Sequence, residues 1–92
     1  MEFAARATRD LFNGIASKPA RKVVPAALRQ RALDKLTLLD SAVSFDQLQV
    51  PPGNRLEALC GDRAGQHSIR IKDQFRICFR WTDAGPIDVE IG

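Results

Sequence analysis

Two runs of residues, Gln66-His67-Ser68-Ile69-Arg70-Ile71-Lys72 and Phe75-Arg76-Ile77-Cys78-Phe79-Arg80-Trp81, decide the fold of this chain. Apolar residues alternate with polar or charged ones in both runs, and successive side chains of a β-strand point to opposite faces. The alternation predicts two antiparallel strands whose inner face carries Ile69, Ile71, Phe75, Ile77, Phe79 and Trp81. The outer face would carry Ser68, Arg70, Lys72, Arg76, Cys78 and Arg80.

The register of this hairpin depends on the length of its loop. A two-residue loop at 73–74 would place Ile71 opposite Arg76 and mix apolar with charged side chains on one face. A three-residue loop, Asp73-Gln74-Phe75, would pair Lys72 with Arg76 and Arg70 with Cys78. Three-residue hairpin loops are common, so we predict this one.

The outer face of the hairpin would then be strongly basic. Like charges that face one another destabilise a strand pair, so the cluster favours a site for an anion, above all phosphate. The alternative is a solvated face on which long side chains cover apolar surface.

Helical periodicity marks the N-terminal half. Apolar residues at four-residue steps, from Phe3 to Ile15, predict a short helix that ends at Asn13-Gly14. Residues 17–24 are interpreted as a connector or an irregular first turn, and Pro25 suits the first position of a second helix. Its inner stripe would be Leu28, Ala32, Leu36 and Leu39, and its outer residues Arg29, Arg31, Asp34 and Lys35. The motif Ser44-Phe45-Asp46-Gln47 matches a capping box.

The break Pro51-Pro52-Gly53-Asn54 separates this helical half from a strand-rich half. Strands are predicted at 55–60, at the two runs quoted above and at 87–91, with turns at 61–65 and 83–86. The predicted fold class is α+β: an N-terminal antiparallel helical hairpin packed on a small, mainly antiparallel twisted sheet. We expect one domain over residues 1–92, with helices in 2–48 and strands in 55–92.

Composition narrows the class of protein. The chain has 92 residues, 45% of them hydrophobic, with a net charge of +3 and a pI near 9.3. Ten arginines against four lysines favour contacts to phosphate, since the guanidinium is suited to bidentate binding and to stacking on bases. We find neither a membrane-length apolar run nor a secretory signal, so we expect a soluble, cytoplasmic protein.

Cysteine and histidine are too few for a structural zinc site. Cys60 and Cys78 have no companions at ligand spacing, and the chain has one histidine. A structural zinc ion needs four ligands, so we predict no metal and no cofactor, with both thiols free.

The segment Asn54-Arg55-Leu56-Glu57-Ala58-Leu59-Cys60-Gly61-Asp62-Arg63-Ala64-Gly65, together with 67–71 and 75–79, resembles the HigB branch of the RelE/ParE toxin superfamily. The resemblance extends to Pro51-Pro52-Gly53 and to residues 36–40. It implies a bacterial type II toxin that cleaves mRNA in the ribosomal decoding site. It also implies a small helix-turn-helix antitoxin (HigA-type) that neutralises the toxin, the pair repressing its own operon, so that operator DNA is bound only through the antitoxin.

The resemblance also assigns site residues. Arg76 matches an arginine beside the scissile phosphate, and the strand that carries Arg70 and Lys72 lines the same site. Glu57 stands where some relatives carry a catalytic histidine, and His67 where many carry an aromatic residue. Together with the outer-face pattern, the candidates are catalytic Arg76, His67 and Glu57, and phosphate-binding Arg63, Arg70, Lys72 and Arg80.

Four features depart from the family pattern. Cys60 replaces a usual lysine, and Phe75 replaces a common tryptophan. The sequence ends at Glu90-Ile91-Gly92, where relatives continue into Asp-Tyr-His with catalytic side chains. The short first strand that usually precedes the first helix is expected to be missing.

The implied chemistry is metal-independent attack of the RNA 2′-hydroxyl on its own phosphate. Arg76 would stabilise the developing charge, Glu57 or His67 would act as the base, and His67 as the acid. One alternative is a ParE-like toxin that inhibits gyrase without cleaving RNA. Another is a catalytically impaired toxin that only binds its antitoxin. A simple RNA-binding module is disfavoured because the aromatic residues are predicted on the inner face, away from stacking positions.

Overall fold

Four strands form one sheet, and helices cover its inner face. In the computed structural model, which describes residues 1–50 and 52–92, the helices are α1 (Arg6–Phe12), α2 (Lys18–Lys22) and α3 (Arg29–Ser41). The strands are β1 (Glu57–Ala58), β2 (His67–Lys72), β3 (Phe75–Thr82) and β4 (Gly85–Ile91), antiparallel in the order β1-β2-β3-β4. Short 3₁₀ turns lie at Ala26–Leu28, Phe45–Gln49, Pro52–Asn54 and Gly61–Arg63. The predicted α+β class is confirmed.

The core lies between α3 and the inner face of the sheet. Ala32, Leu36 and Leu39 recur on one side of α3 and are fully buried. They pack in one cluster with the inner-face residues Ile69, Ile71, Ile77, Phe79 and Val89. The apolar face of α3 and the apolar face of the sheet therefore pack against each other in one layer, as the sequence predicts.

The helical half is more broken than predicted. α1 begins only at Arg6 and ends before Ile15, which is 52% exposed. The segment predicted as a connector contains α2, which begins where Ser17 Oγ accepts a hydrogen bond from the Ala20 amide at 3.3 Å. A serine at the N-cap stabilises the first turn of a helix by accepting such a bond, even where the helix is too short to show a helical period in its apolar residues. The prediction of only two helices is therefore wrong.

The N-terminus pairs with the sheet. Phe3 forms a parallel bridge to Val89, and the Ala4 amide donates to the Val89 carbonyl at 2.9 Å. The Val89 amide in turn donates to the Glu2 carbonyl at 3.0 Å. Residues 2–4 therefore pair with the edge of β4 through one isolated bridge, before the first helix, where no strand was expected.

The predicted capping box forms only in part. The Ser44 side chain does not cap the turn Phe45–Gln49. Gln47 Oε1 does reach back, but it accepts from the Val43 amide at 2.9 Å rather than from Ser44. Of the predicted break at 51–54, Pro51 lies outside the described residues, and Pro52–Asn54 forms a 3₁₀ turn.

A β-bulge sets the register of the β2–β3 hairpin. Lys72 pairs with Phe75, so the loop has two residues and the predicted three-residue loop is wrong. The pairing shifts between Arg70 and Lys72, and beyond that point Arg70 lies opposite Arg76. The extra residue of the bulge reverses which residues of β2 and β3 share a face, so that apolar residues again lie opposite apolar residues. It therefore keeps Ile69 and Ile77 together on the inner face.

Candidate active site

A cleft of about 470 Å³ opens on the outer face of the sheet, at the end where β2 turns into β3. It is lined by Arg55, Glu57, Ser68, Arg70, Lys72, Asp73, Gln74, Phe75, Arg76 and Gly92. Four of the seven predicted site residues line it: Glu57, Arg70, Lys72 and Arg76.

Strand pairing explains how these side chains meet. Glu57 lies opposite Ser68, which lies opposite Cys78, and these form one row across the sheet. Arg70 lies opposite Arg76 in the next row, which ends at Gly92 where the Gly92 amide donates to the Arg76 carbonyl at 3.0 Å. Directly opposed residues of antiparallel strands have Cα atoms about 4.5–5.5 Å apart. The row that contains Glu57 is therefore adjacent to the row that contains Arg70 and Arg76.

The cleft carries an excess of positive charge. Its lining has four cationic side chains (Arg55, Arg70, Lys72 and Arg76) and two carboxylates (Glu57 and Asp73), a formal +2. Arg70 forms an ion pair with Asp73. Arg55, Lys72 and Arg76 are exposed, and among residues 1–50 and 52–92 they form no ion pair. A concave surface lined by unpaired cations concentrates anions.

Glu57 is exposed at the cleft and, in the described part of the chain, has no ion-pair partner. A salt bridge to Arg55 or Arg70 would be the plain structural role of this carboxylate, and neither bridge forms among the described residues. Its carboxylate is therefore free to accept a proton or a hydrogen bond from a bound molecule.

His67 lies on the other face of the sheet. Its ring packs edge-on against Phe45, with centroids 4.8 Å apart, and tilted against Phe79 at 6.4 Å. Nδ1 is buried and has no hydrogen-bond partner among residues 1–50 and 52–92. Because odd-numbered residues of β2 point inward, His67 does not reach the cleft, and this position does not agree with its predicted catalytic role.

Arg63 and Arg80 lie on the outer face but beside the cleft rather than in its lining. Arg63 Nη1 is 2.8 Å from Glu90 Oε1, and the hydrogen bond to Glu90 raises the pKa of Arg63 above its usual value. Arg80 Nε is 3.3 Å from Asp88 Oδ2. Both guanidinium groups are thus engaged by carboxylates of β4.

Arg63 also explains why Cys78 is buried although the sequence predicts it to be outward. A Cβ built on Gly92 would lie 3.7 Å from Arg63 Nη2 and 4.0 Å from Cys78 Sγ. The guanidinium, the thiol and the end of the chain therefore meet on the outer face. Cys78 is 1% exposed, whereas Cys60 is exposed, and both thiols are free.

Arg55 lines the cleft but was not predicted as a site residue. The sequence predicts it as part of a regular strand at 55–60, but β1 covers only Glu57–Ala58 and Arg55 has φ +46°. A left-handed backbone costs a non-glycine residue about 1–3 kcal/mol. The available signal was the position of Arg55 directly after Pro-Gly-Asn, a typical turn sequence.

A second concave surface lies on the helical side. It is a groove of about 180 Å³ lined by Leu11, Gly14, Ile15, Ala16, Ala20, Arg21, Arg29 and Leu33. Arg29 was predicted to face water, yet its Nε is buried and, in the described part of the chain, has no hydrogen-bond partner. From residue 11 to residue 33 the sequence has five Lys or Arg residues and no Asp or Glu. This surface is thus apolar at its centre and basic around it.

Residues 1–50 and 52–92 contain no cluster of three His, Cys, Asp or Glu side chains that could hold a metal ion. Within the same ranges, no helix combines the length and the apolar character needed to cross a lipid bilayer.

Comparison with known proteins agrees with the α+β fold. Residues 8–91 match the family described as RelE-like toxin of type II toxin-antitoxin system HigB. The chain is also similar to Toxin HigB-1 of Vibrio cholerae serotype O1, with 39% identity over 62 residues. That alignment covers 67% of this chain and 65% of the relative, slightly less than two thirds of its length. The resemblance found in the sequence is confirmed, and the chain belongs to the HigB-like family of RelE-like type II toxins.

Proposed function

We propose that this protein is a translation-inhibiting toxin that cuts mRNA on the ribosome without a metal ion, in the bacterial cytoplasm. The observation that carries the proposal is the pairing of Arg70 with Arg76 beside the free carboxylate of Glu57, in a cleft of net positive charge. This arrangement offers one base and several cations to a phosphodiester, which is what 2′-hydroxyl attack requires.

Each group has a role in the proposed reaction. Glu57 takes the proton of the 2′-hydroxyl, whose oxygen attacks the adjacent phosphorus and displaces the 5′-oxygen, leaving a 2′,3′-cyclic phosphate. Arg76 stabilises the charge that develops on the phosphoryl oxygens, while Arg70 and Lys72 hold the phosphate group. Arg63 and Arg80, engaged by Glu90 and Asp88, support the surrounding surface and are left out of the reacting set.

The leaving 5′-oxygen needs a proton, and His67 is on the wrong face to supply it. Water in the cleft therefore protonates it. A positioned general acid typically contributes 10²–10⁴-fold, so a chain that relies on water for this step should cut slowly.

Residues added after Gly92 would start at the cleft, because Gly92 pairs with Arg76 and lines the same cavity. Extending the chain by Asp-Tyr-His, the continuation typical of the family, should therefore raise the cutting rate. An unchanged rate would mean that this segment does not supply the missing acid.

The proposal is tested by translation in vitro followed by primer extension on the mRNA. The wild-type chain should produce cuts that require ribosomes, and Arg76→Ala should reduce them at least 10²-fold, the usual cost of removing one preorganised donor. Arg80→Ala is the matched control, since Arg80 lies on the same face of the same strand and pairs with Asp88 outside the cleft. Equal losses in the two variants would contradict the site.

Absence of cuts from the wild-type and extended chains, with translation unaffected, would overturn the nuclease proposal. A gyrase supercoiling assay would then test the ParE-like alternative. Unimpaired binding of the antitoxin in that case would indicate a catalytically inactive member.

We further propose that the neutralising partner is a helix-turn-helix antitoxin that places an acidic and apolar segment on the helical groove. The supporting features are the half-exposed Ile15, the unpartnered Arg29 Nε and the absence of acidic residues from 11 to 33. An apolar side chain would bury Ile15, and a carboxylate would satisfy Arg29. The toxin would contact operator DNA only through this antitoxin.

A further inference from the structure

Arg55 is held in an unusual conformation by a buried neighbour. Its φ of +46° turns the chain out of the strand just before β1 begins at Glu57. Asn54, fully buried, donates from Nδ2 to the carbonyls of Leu48 at 3.3 Å and Val50 at 3.5 Å. A buried amide with fixed partners allows little freedom at the next residue.

Helix α3 completes this anchor. Lys35 Nζ donates a hydrogen bond to Asn54 Oδ1, which occupies the remaining side of the amide. Partial burial, together with the nearby charge of Arg31, lowers the pKa of Lys35. Lys35 therefore links helix α3 to the side chain of Asn54, the residue that directly precedes Arg55.

The anchor directs Arg55 to the cleft. In the β1–β2 pairing Glu57 lies opposite Ser68, so two residues earlier the chain approaches Arg70. The left-handed turn at Arg55 ends the ladder there, and its side chain lines the cleft with Arg70 and Arg76. Arg55 is exposed, and no carboxylate in the described ranges pairs with it, unlike Arg63, Arg70 and Arg80.

The formal charge of the side chains that line the cleft is larger than the charge of one phosphodiester. Its four cations and two carboxylates give +2, whereas each phosphodiester of RNA carries one negative charge. Arg70, Lys72 and Arg76 already surround the site of attack beside Glu57. Arg55 enters from the turn that precedes β1, outside strands β2 and β3, and is therefore placed for a second phosphate.

We propose that Arg55 binds the phosphate adjacent to the scissile one and makes the cleft a two-phosphate site for single-stranded RNA. This inference rests on the proposed function, because it takes RNA as the substrate. It assigns Arg55 to substrate binding, and Asn54 and Lys35 to its positioning.

The test compares 2′-O-methyl oligonucleotides, which bind but cannot be cut. A dinucleotide has one phosphodiester and a trinucleotide has two, with both ends free of phosphate. Calorimetric titration at low salt should give the wild-type protein about tenfold higher affinity for the trinucleotide, as expected for one added charge-assisted contact. Arg55→Ala should remove this gain and leave dinucleotide binding unchanged.

Two further variants separate binding from folding. Glycine adopts a φ of +46° without strain, so Arg55→Gly should keep or raise the urea midpoint while still losing the gain. Arg9→Ala removes an exposed cation of α1 outside the cleft and should keep the gain.

The salt dependence of trinucleotide binding should also fall for Arg55→Ala. The slope of the logarithm of affinity against the logarithm of salt concentration should decrease in magnitude by about 0.7, the value for one single-strand contact.

The outcomes distinguish this inference from the function on which it rests. A trinucleotide gain that survives in Arg55→Ala and Arg55→Gly would overturn the role of Arg55 alone. If the wild-type protein binds neither oligonucleotide and cuts no mRNA, the proposed function fails and the inference fails with it. Loss of the gain in Arg9→Ala as well would show that net charge, rather than Arg55, determines affinity, and would also overturn the inference.

Discussion

Replacing His67 by phenylalanine tests the position that the structure gives to the only histidine of the chain. His67→Phe should stabilise the protein and leave mRNA cleavage unchanged. The ring site is formed by Phe45 and Phe79, and a phenylalanine there keeps the aromatic contacts while it removes the unpartnered Nδ1.

The size of the effect follows from that nitrogen. A buried polar atom without a partner costs about 1–3 kcal/mol, and this ring is only partly buried, so the lower end applies. We therefore expect His67→Phe to raise the free energy of unfolding by about 1 kcal/mol. For a domain of this size that corresponds to an increase in Tm of roughly 4–8 °C.

The measurement is urea and thermal denaturation followed by circular dichroism, with primer extension on the same samples. His67→Ala serves as the opposite control, because it also removes the nitrogen but loses the packing on Phe45 and should destabilise. If His67→Phe folds normally but loses cleavage at least 10²-fold, His67 is a catalytic group and the geometric argument is refuted. A lower Tm in His67→Phe would refute the packing argument.

Three further predictions concern the cleft, the groove and the core. Glu57→Gln should lower cleavage by about 10²–10⁴-fold in the primer-extension assay, whereas Asp62→Asn on the neighbouring loop should not; unchanged cleavage in Glu57→Gln would exclude Glu57 as the base. Ile15→Asp should weaken binding of the antitoxin at least tenfold, measured by calorimetry, because it places a charge on the apolar groove; unchanged affinity would locate the interface elsewhere. Leu36→Ala should lower the free energy of unfolding by about 2–5 kcal/mol in urea titration, since Leu36 is fully buried against the sheet, and a loss under 1 kcal/mol would contradict that packing.

The sequence predicted the elements with a strong local pattern. The α3 stripe of Ala32, Leu36 and Leu39 is buried as expected, and strands β2, β3 and β4 lie within a few residues of their predicted positions. It failed for α2, because five residues are too few for a helical period to show. It also failed for the bulge between Arg70 and Lys72, since nothing in local alternation distinguishes a longer loop from an extra residue in the strand.

The candidate site was predicted in the same uneven way. Arg70, Lys72 and Arg76 followed from alternation, and Glu57 from the family resemblance, and all four line the cleft. Alternation places His67 on the inner face, two residues before Ile69, but the mechanism implied by the family resemblance made it a candidate. Arg55 was not predicted, because its position depends on the buried side-chain amide of Asn54 and on Lys35, which lies nineteen residues before Asn54 in the chain.

By itself the sequence determined which side chains of each strand share a face, because a two-residue repeat is a property of the extended backbone. It also determined the family and the excess of arginine on the outer face. Only the tertiary structure decided which of these arginines are paired with a carboxylate. Glu90 and Asp88 of β4 engage Arg63 and Arg80, whereas Arg76 and Arg55 stay unpaired among the described residues. Such pairing joins segments distant in the chain, so it is fixed by how the strands pack and not by any local pattern.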